Sequence, residues 1–351
     1  MRRVGIKKSC IFVVAATRQR PIMENKKRFY RRPWFWVALI LVAMALVSAG
    51  FFRGSNGSAT LKVYPGSDIA ALEDSLATSS GDASFAKHTA FLLRLSGVEI
   101  KDRAGLYAFE SGTTPIDAAR RVYRHAQTPV KVTFNNIRTM QQLADRLDKQ
   151  LLMSADDFLA ATGDTITTAM FIPDTYEFYW NVAPETLIRR LRGYHDKWWN
   201  DKRMEAAQRL GLTPDEVAVI ASIVEEETAK SDERGKVARL YINRLRKGMP
   251  LQADPTVKFA VGDFSLRRIG AKHLAVESPY NTYRHTGLPP TPIRIAEKST
   301  LEEVLNAPEH NYLYMCARED FSGYHNFTAS FAEHRRNAFR YRAALDARGI
   351  K

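Results

Sequence analysis

The hydrophobic positions of this 351-residue chain change period several times, and each change predicts an element. Residues 34–52, WFWVALILVAMALVSAGFF, form an uncharged apolar run between Arg32 and Arg53. At about 1.5 Å per residue the run makes roughly 28 Å of helix, close to a bilayer's hydrocarbon thickness, which predicts one transmembrane helix over 34–53. GSNGSA (54–59) reads as a flexible linker. Beyond it LKVYP (61–65) predicts a strand, and a helix from Ser67 carries Ile69, Leu72 and Leu76 on one face. Gly105–Phe109 reads as a second strand. Thr114, Pro115 and Asp117 supply the cap, first-turn proline and acid of a helix running to about Ala126. VKVTF (130–134) alternates as a strand, and Thr139 opens another helix. Residues 60–165 are therefore expected to form a small α+β domain, and nothing in them groups side chains for catalysis.

A larger mixed α+β domain is expected over 166–351. It opens on the aromatic-rich FIPDTYEFYW (171–180), and a long helical pattern follows from Pro184 to Leu210, with Trp198 and Trp199 at core spacing. TPDEVAVIASIVEEET (213–228) predicts a helix with a fixed start, because Thr213 and Glu216 form a capping box around Pro214. SDERGKVARLYINRLRKG (231–248) predicts the next helix, capped by Ser231, stopped by Gly248 and buried along Val237, Leu240, Tyr241 and Leu245. LQADPTVKFAVG (251–262) reads as a loop holding polar Gln252 and Asp254 among apolar neighbours. SPYNTYRHTGLPPTPI (278–293) is a Pro/Gly-punctuated loop rich in aromatics and amides.

Charge placement removes one function class. The formal net charge of +14 invites a nucleic-acid reading, yet residues 1–32 hold eleven Lys or Arg against Glu24 alone. With Arg53 set aside, residues 54–351 keep only +3, so the folded part has no basic excess for nucleic acid. The cluster Lys26, Lys27, Arg28, Arg31 and Arg32 instead makes residues 1–33 a cytoplasmic tail by the positive-inside rule, with Trp34 and Trp36 at the interface and everything beyond residue 53 exported. Val47-Ser48-Ala49 keeps a cleaved signal peptide open as the alternative, and Met23 offers a second translation start. Cys10 and Cys316 lie on either side of the apolar run, which excludes a disulfide framework. The histidines show no metal-ligand spacing, so neither a metal nor a cofactor is expected. Cys316, in the apolar YLYMC, is expected to be a buried small hydrophobe.

Helical phase then selects one candidate for chemistry. At about 100° per residue, Val219, Ile220, Ile223 and Val224 fall on one arc; Glu227 lands inside it, while Glu225 and Glu226 land outside. A carboxyl aimed at the interior loses hydration, which disfavours its ionised form and raises its pKa, as a general acid requires. Glu225→Gln and Glu226→Gln should accordingly retain activity. Two plainer readings stay open: a solvated acidic helix end, and a buried glutamate paired with Arg234 or Arg244. The 278–293 loop suits a ligand groove, for sugars above all, or an Ω-loop packed on its own side chains.

FIPDTYEF, ASIVEEET, INRLRKGMPLQADPTV, SPYNTYRHTGLPPTPI and YHNFTASFAEH, in this order over about residues 166–340, resemble the endolytic murein transglycosylases of the MltG (YceG-like) family. The resemblance implies a peptidoglycan lytic transglycosylase, a lyase that cleaves the MurNAc–GlcNAc β-1,4 bond and leaves a 1,6-anhydro-MurNAc end. It places the catalytic glutamate, general acid and then base, on Glu227. It places Gln252, Asp254, Asn281, Thr282 and Tyr283 in the substrate cleft, with amides of 281–283 orienting the N-acetyl group. It further implies a LysM-like domain over 60–165, a single-pass inner-membrane protein with a periplasmic catalytic domain, glycan strands as substrate and peptidoglycan synthases as candidate partners. Two competing readings are a non-catalytic membrane-tethered cell-wall binding or scaffold protein, and a hydrolase that uses water and leaves reducing ends.

Overall fold

The computed structural model describes residues 32–266 and 268–349, so the expected basic tail lies outside the described residues except for Arg32 and Pro33. Contacts divide the chain into two units: one of Met1–Leu61, Gly66–Arg103 and Ala108–His125, the other of Lys62–Pro65, Ala104–Tyr107 and Ala126–Lys351. The described strands make three two-stranded sheets, β1 (Ala59–Val63) with β2 (Gly105–Phe109), β3 (Val130–Phe134) with β4 (Asp174–Phe178), and β5 (Tyr314–Ala317) with β6 (His325–Thr328). With helices predominating, the class is mixed α+β.

In the first unit the apolar run is α1 (Pro33–Phe52), long and apolar enough to cross a membrane and with none of its hydrophobic window buried. By length and position it could equally serve as a signal sequence. Asp68 caps α2 (Ile69–Ser80), Asp82 caps α3 (Ala83–Leu95), and Thr114 caps α4 (Pro115–Tyr123) with Pro115 in the first turn. The 54–59 stretch is not the free linker its composition suggests. Ser55 is buried; its N–H donates to the Thr113 carbonyl at 2.9 Å, and its own carbonyl accepts from Gly112 at 3.0 Å. Pairing with the 110–113 turn overrides the flexibility of Gly and Ser.

The second unit holds two cores. In one, β3 and β4 run antiparallel with Val130 opposite Phe178 and Phe134 opposite Asp174. α5 (Met140–Asp148), α6 (Ala155–Thr162) and α7 (Pro184–Trp198) close over them, so Phe134, Leu143, Phe158, Phe171, Phe178 and Leu187 share one cluster. The expected boundary at 165/166 falls inside this cluster, because β4 supplies the only strand that pairs with β3 among the described residues. The long helix expected over 184–210 is two: Asn200 accepts from the Arg203 amide at 3.1 Å and so starts α8 (Asp201–Leu210), while Trp199 is buried at the break.

The other core surrounds α9 (Pro214–Glu227), whose Thr213–Glu216 capping box forms as expected. Every residue from Val217 to Val224 is buried, so α9 is enclosed on all sides and not along one arc. Each large apolar side chain there contributes roughly 1.5–3 kcal/mol over its exposed state, which makes α9 a rigid platform. α10 (Ser231–Arg246) begins after Lys230 without a side-chain cap, so Ser231 is its first residue. Residues 254–261, expected in a loop, form α11 (Asp254–Val261): Pro255 fits the first turn, and left-handed Gly262 closes the end by donating to the Lys258 and Phe259 carbonyls. The short α12 (Ala271–Leu274) and α13 (Lys298–Leu305) follow. The β5–β6 hairpin and α14 (Phe331–Ala347) complete the unit.

Candidate active site

Glu227 is the last residue of α9. Thr228 turns to extended backbone there, so the carboxyl leaves the core at the end of the platform and faces a cleft of about 400 Å³. α10 supplies Tyr241 and Arg244 to its lining, the entry to α11 supplies Gln252 and Asp254, the 278–293 loop supplies Tyr283, and β5, β6 and α14 supply Tyr314, Cys316, His325 and His334. Burial pushes the Glu227 carboxyl from 4.5 up to about 7. The Tyr241 hydroxyl, donating to Oε1 at 2.9 Å, opposes that rise; the negative charges of Asp254 and Glu226 add to it, and Lys258 opposes it. Oε2 has no hydrogen-bond partner among the described residues. Near neutrality the group is therefore poised between acid and carboxylate, with Oε2 the oxygen left open.

Removing the opposing hydrogen bond has a defined sign. Tyr241→Phe takes away the donor that favours the carboxylate, so the Glu227 midpoint should move above about 7. A carboxyl ¹³C titration of Glu227, comparing wild type with the variant, checks it; a downward shift would mean that Tyr241 acts otherwise.

The structure brings Gln252, Asp254 and Tyr283 to the same cleft. The Tyr283 hydroxyl donates to Asp254 Oδ1 at 2.7 Å, and burial together with that carboxylate raises the phenol's pKa. Gln252 adopts a left-handed φ of 53°, a conformation that costs a non-glycine residue about 1–3 kcal/mol and is held by its surroundings. Its amide N–H donates to the Thr282 carbonyl at 3.1 Å, and Arg244 donates to its Oε1 at 3.0 Å and to the Leu251 carbonyl at 2.5 Å.

Asn281 and Thr282 do not line the cleft. Asn281 is fully buried: its Nδ2 donates to the Leu274 and Val276 carbonyls, and its Oδ1 accepts from the Tyr283 amide. Thr282 Oγ1 accepts from the Ala253 amide at 3.0 Å and bonds Thr256 Oγ1 at 2.8 Å. No amide of Asn281 is left to orient a substrate; these two residues build the loop that positions Tyr283. Asn281→Ala takes the partner from the Leu274 and Val276 carbonyls and the Tyr283 amide, and should lower unfolding stability by about 1–3 kcal/mol in a denaturant titration.

Glu225 and Glu226 are not solvated, contrary to their phase. Arg294 holds both, at 2.9 Å each, and Arg138 holds Glu226 at 2.8 Å. Glu225 also accepts from the Glu297 amide and the Thr300 hydroxyl. The arginine pairing weighed for Glu227 belongs to its neighbours instead: Arg234 donates to Thr300 and Arg244 to the 251–252 segment, leaving Glu227 without a cationic hydrogen-bond partner among the described residues.

The same stretches that build this cleft decide the lineage. The model of the YceG-like family matches residues 61–340. The chain belongs to the YceG-like family. A crystal structure of a YceG-like protein from Listeria monocytogenes shares 25% identity at a TM-score of 0.51, covering 80% of this chain and 99% of that one. A 122-residue stretch is 42% identical to the endolytic murein transglycosylase of Bacillus subtilis, over 35% of this chain and 33% of that protein. A 149-residue stretch is 32% identical to the endolytic murein transglycosylase of Streptococcus pneumoniae, over 41% and 27%. The matched stretches thus span about a third or less of those relatives.

Within this YceG-like chain, several cleft residues escape sequence reasoning. Tyr241 and Arg244 stand three apart on the buried face of α10, and polar groups at buried phase were the available sign. Cys316 is half-buried and lines the cleft, where burial raises its thiol pKa; it is not the enclosed hydrophobe expected. His334 stacks on Tyr314 at 5.3 Å, and burial with Arg244 and Arg342 nearby lowers its pKa. The Glu233 carboxylate anchors His325 through both its backbone amide and its ring, each at 2.9 Å.

Proposed function

We propose that the chain is an endolytic peptidoglycan lytic transglycosylase cutting the MurNAc–GlcNAc β-1,4 bond, with Glu227 as its one acid and base. The observation that carries this reading is a carboxyl with a pKa near 7 and an unengaged oxygen, lining a cleft. Glu227 Oε2 donates its proton to the glycosidic oxygen as the C1–O bond breaks and positive charge develops on the MurNAc ring. The C6 hydroxyl of the same sugar then attacks C1, and its proton passes to the Glu227 carboxylate. The anhydro bridge forms, the acid is regenerated, and no water is consumed. Tyr241 fixes the carboxyl's orientation through Oε1 and leaves Oε2 for the proton. Gln252, Asp254 and Tyr283 are the residues assigned to the sugar.

The enzyme is tethered by α1, with residues 1–33 in the cytoplasm, 34–53 in the inner membrane and everything after residue 53 beyond it. The first unit takes the place of a LysM-like domain, and the second unit, which keeps β3 together with β4, that of the catalytic domain. Peptidoglycan synthases are the proposed partners.

Asp254 favours a second reading. It is a second carboxylate in the cleft, and two carboxyls flanking one bond are what a hydrolase uses to activate water. Mass spectrometry of fragments released from purified sacculi separates the cases. The expected products carry 1,6-anhydro ends; reducing ends would assign hydrolysis, and binding without release would assign a scaffold.

A further inference from the structure

We propose that α3 rests on the bilayer surface, so that the membrane-proximal unit is held against the lipid by a second contact besides α1. This rests on α1 being retained as a span. The end of α1 is packed onto α3: the Phe51 ring lies 4.7 Å from His88, edge-on, and 5.8 Å from Phe91. A Cβ at Gly50 would come within 2.6 Å of His88 Nε2, so the two helices approach closely enough there that a side chain would have to displace the imidazole.

The depth of α3 follows. Twenty residues make about 30 Å of helix, one hydrocarbon thickness, so Phe51 near its end lies at the boundary with the headgroups. Phe91, in contact with it, shares that depth. α3 buries Phe85, Ala86, Thr89, Ala90 and Leu93 in its own unit. Its outer face presents Lys87, Phe91, Arg94 and Leu95 at helical spacing, with Phe91 50% and Leu95 74% exposed. Two apolar side chains flanked by two cations, at the level where a span leaves the bilayer, match acyl chains below and anionic headgroups around them.

The test uses the full chain in nanodiscs of phosphatidylethanolamine and phosphatidylglycerol, with Cys10→Ser and Cys316→Ser and a bimane label at Leu95→Cys or Ile40→Cys. Doxyl lipids should quench the Leu95 label to within about twofold of the Ile40 label, and iodide in the water should barely reach it. A Leu95 label open to iodide overturns the proposal. A label shielded from iodide but untouched by doxyl lipid also overturns it, and identifies a protein partner or second copy as the occupant. Failure of the Ile40 label to be quenched would instead remove the span itself. An unchanged unfolding temperature for each labelled chain establishes that the fold is intact.

Discussion

Glu227→Gln should reduce release of anhydro-muropeptides from sacculi by on the order of 10³-fold, the scale of a lost general acid, while leaving the fold unharmed. The amide oxygen still accepts from the Tyr241 hydroxyl, and the shape of the side chain is kept. What is lost is the transferable proton on the unengaged atom. The stability of the variant has a sign that an inert surface glutamate would not show. Below the unfolded value of 4.5 the carboxyl is neutral whether the chain is folded or not. As pH rises, the unfolded chain ionises first and the native state, still protonated, loses relative stability until the folded group ionises near 7. Above that, the wild type carries a penalty on the order of 3 kcal/mol, which a neutral glutamine does not. Wild type and variant should therefore unfold alike near about pH 4, with the inactive variant the more stable near about pH 8. Wild-type activity should fall as pH rises through about 7, since the acid form is then lost. Full product yield from the variant would end the assignment of Glu227; equal stability at both pH values would mean that its carboxyl is not desolvated.

Local signals were legible wherever one or two residues decide an element. Thr114, Thr139 and Thr213 cap the helices their sequence contexts predict, each accepting from the backbone three residues on. The failures lie where a distant segment decides. GSNGSA looks flexible until the 110–113 turn is brought beside it. QADPTVKFAV looks like a loop because its proline falls where a first-turn proline and a helix breaker are indistinguishable without the next element. That a boundary at 165/166 separates two paired strands could not be seen, because β3 finds its partner some 40 residues later. Glu227 was singled out by an arc that the folded helix does not have, since α9 is buried all round. What sets Glu227 apart is the helix end at a cleft and the capture of Glu225 and Glu226 by Arg294, a residue with no local signature. Asn281 and Thr282 show the converse: motif residues that look like ligand groups and are spent on holding the loop.

That capture yields the second large effect. Arg294, with a side chain only 11% exposed, lies between Glu225 and Glu226 at 2.9 Å from each and also donates to Asn136 Oδ1 at 3.1 Å. Arg294→Ala leaves Glu225, 5% exposed, as a buried carboxylate supported by the Glu297 amide and the Thr300 hydroxyl, with no cation in contact. Breaking one side of a buried pair costs 3–5 kcal/mol; because Glu226 keeps Arg138, the lower end applies, about 3 kcal/mol, or a fall of roughly 6–12 °C in Tm. Glu225→Gln should destabilise too, by leaving Arg294 half-paired, although its helical phase predicts that activity is kept. Adding Glu225→Gln to Arg294→Ala should return most of the lost stability, because the uncompensated carboxylate is then gone. A thermal-melt double-mutant cycle measures this, and additive losses would show that packing, not charge, makes the Arg294 contact matter. Since the network grips the turn that ends in Glu227, the same cycle read by product release tells whether it also aims the acid: a rate that recovers along with the melting temperature assigns Arg294 to stability alone, and one that stays low assigns it to positioning.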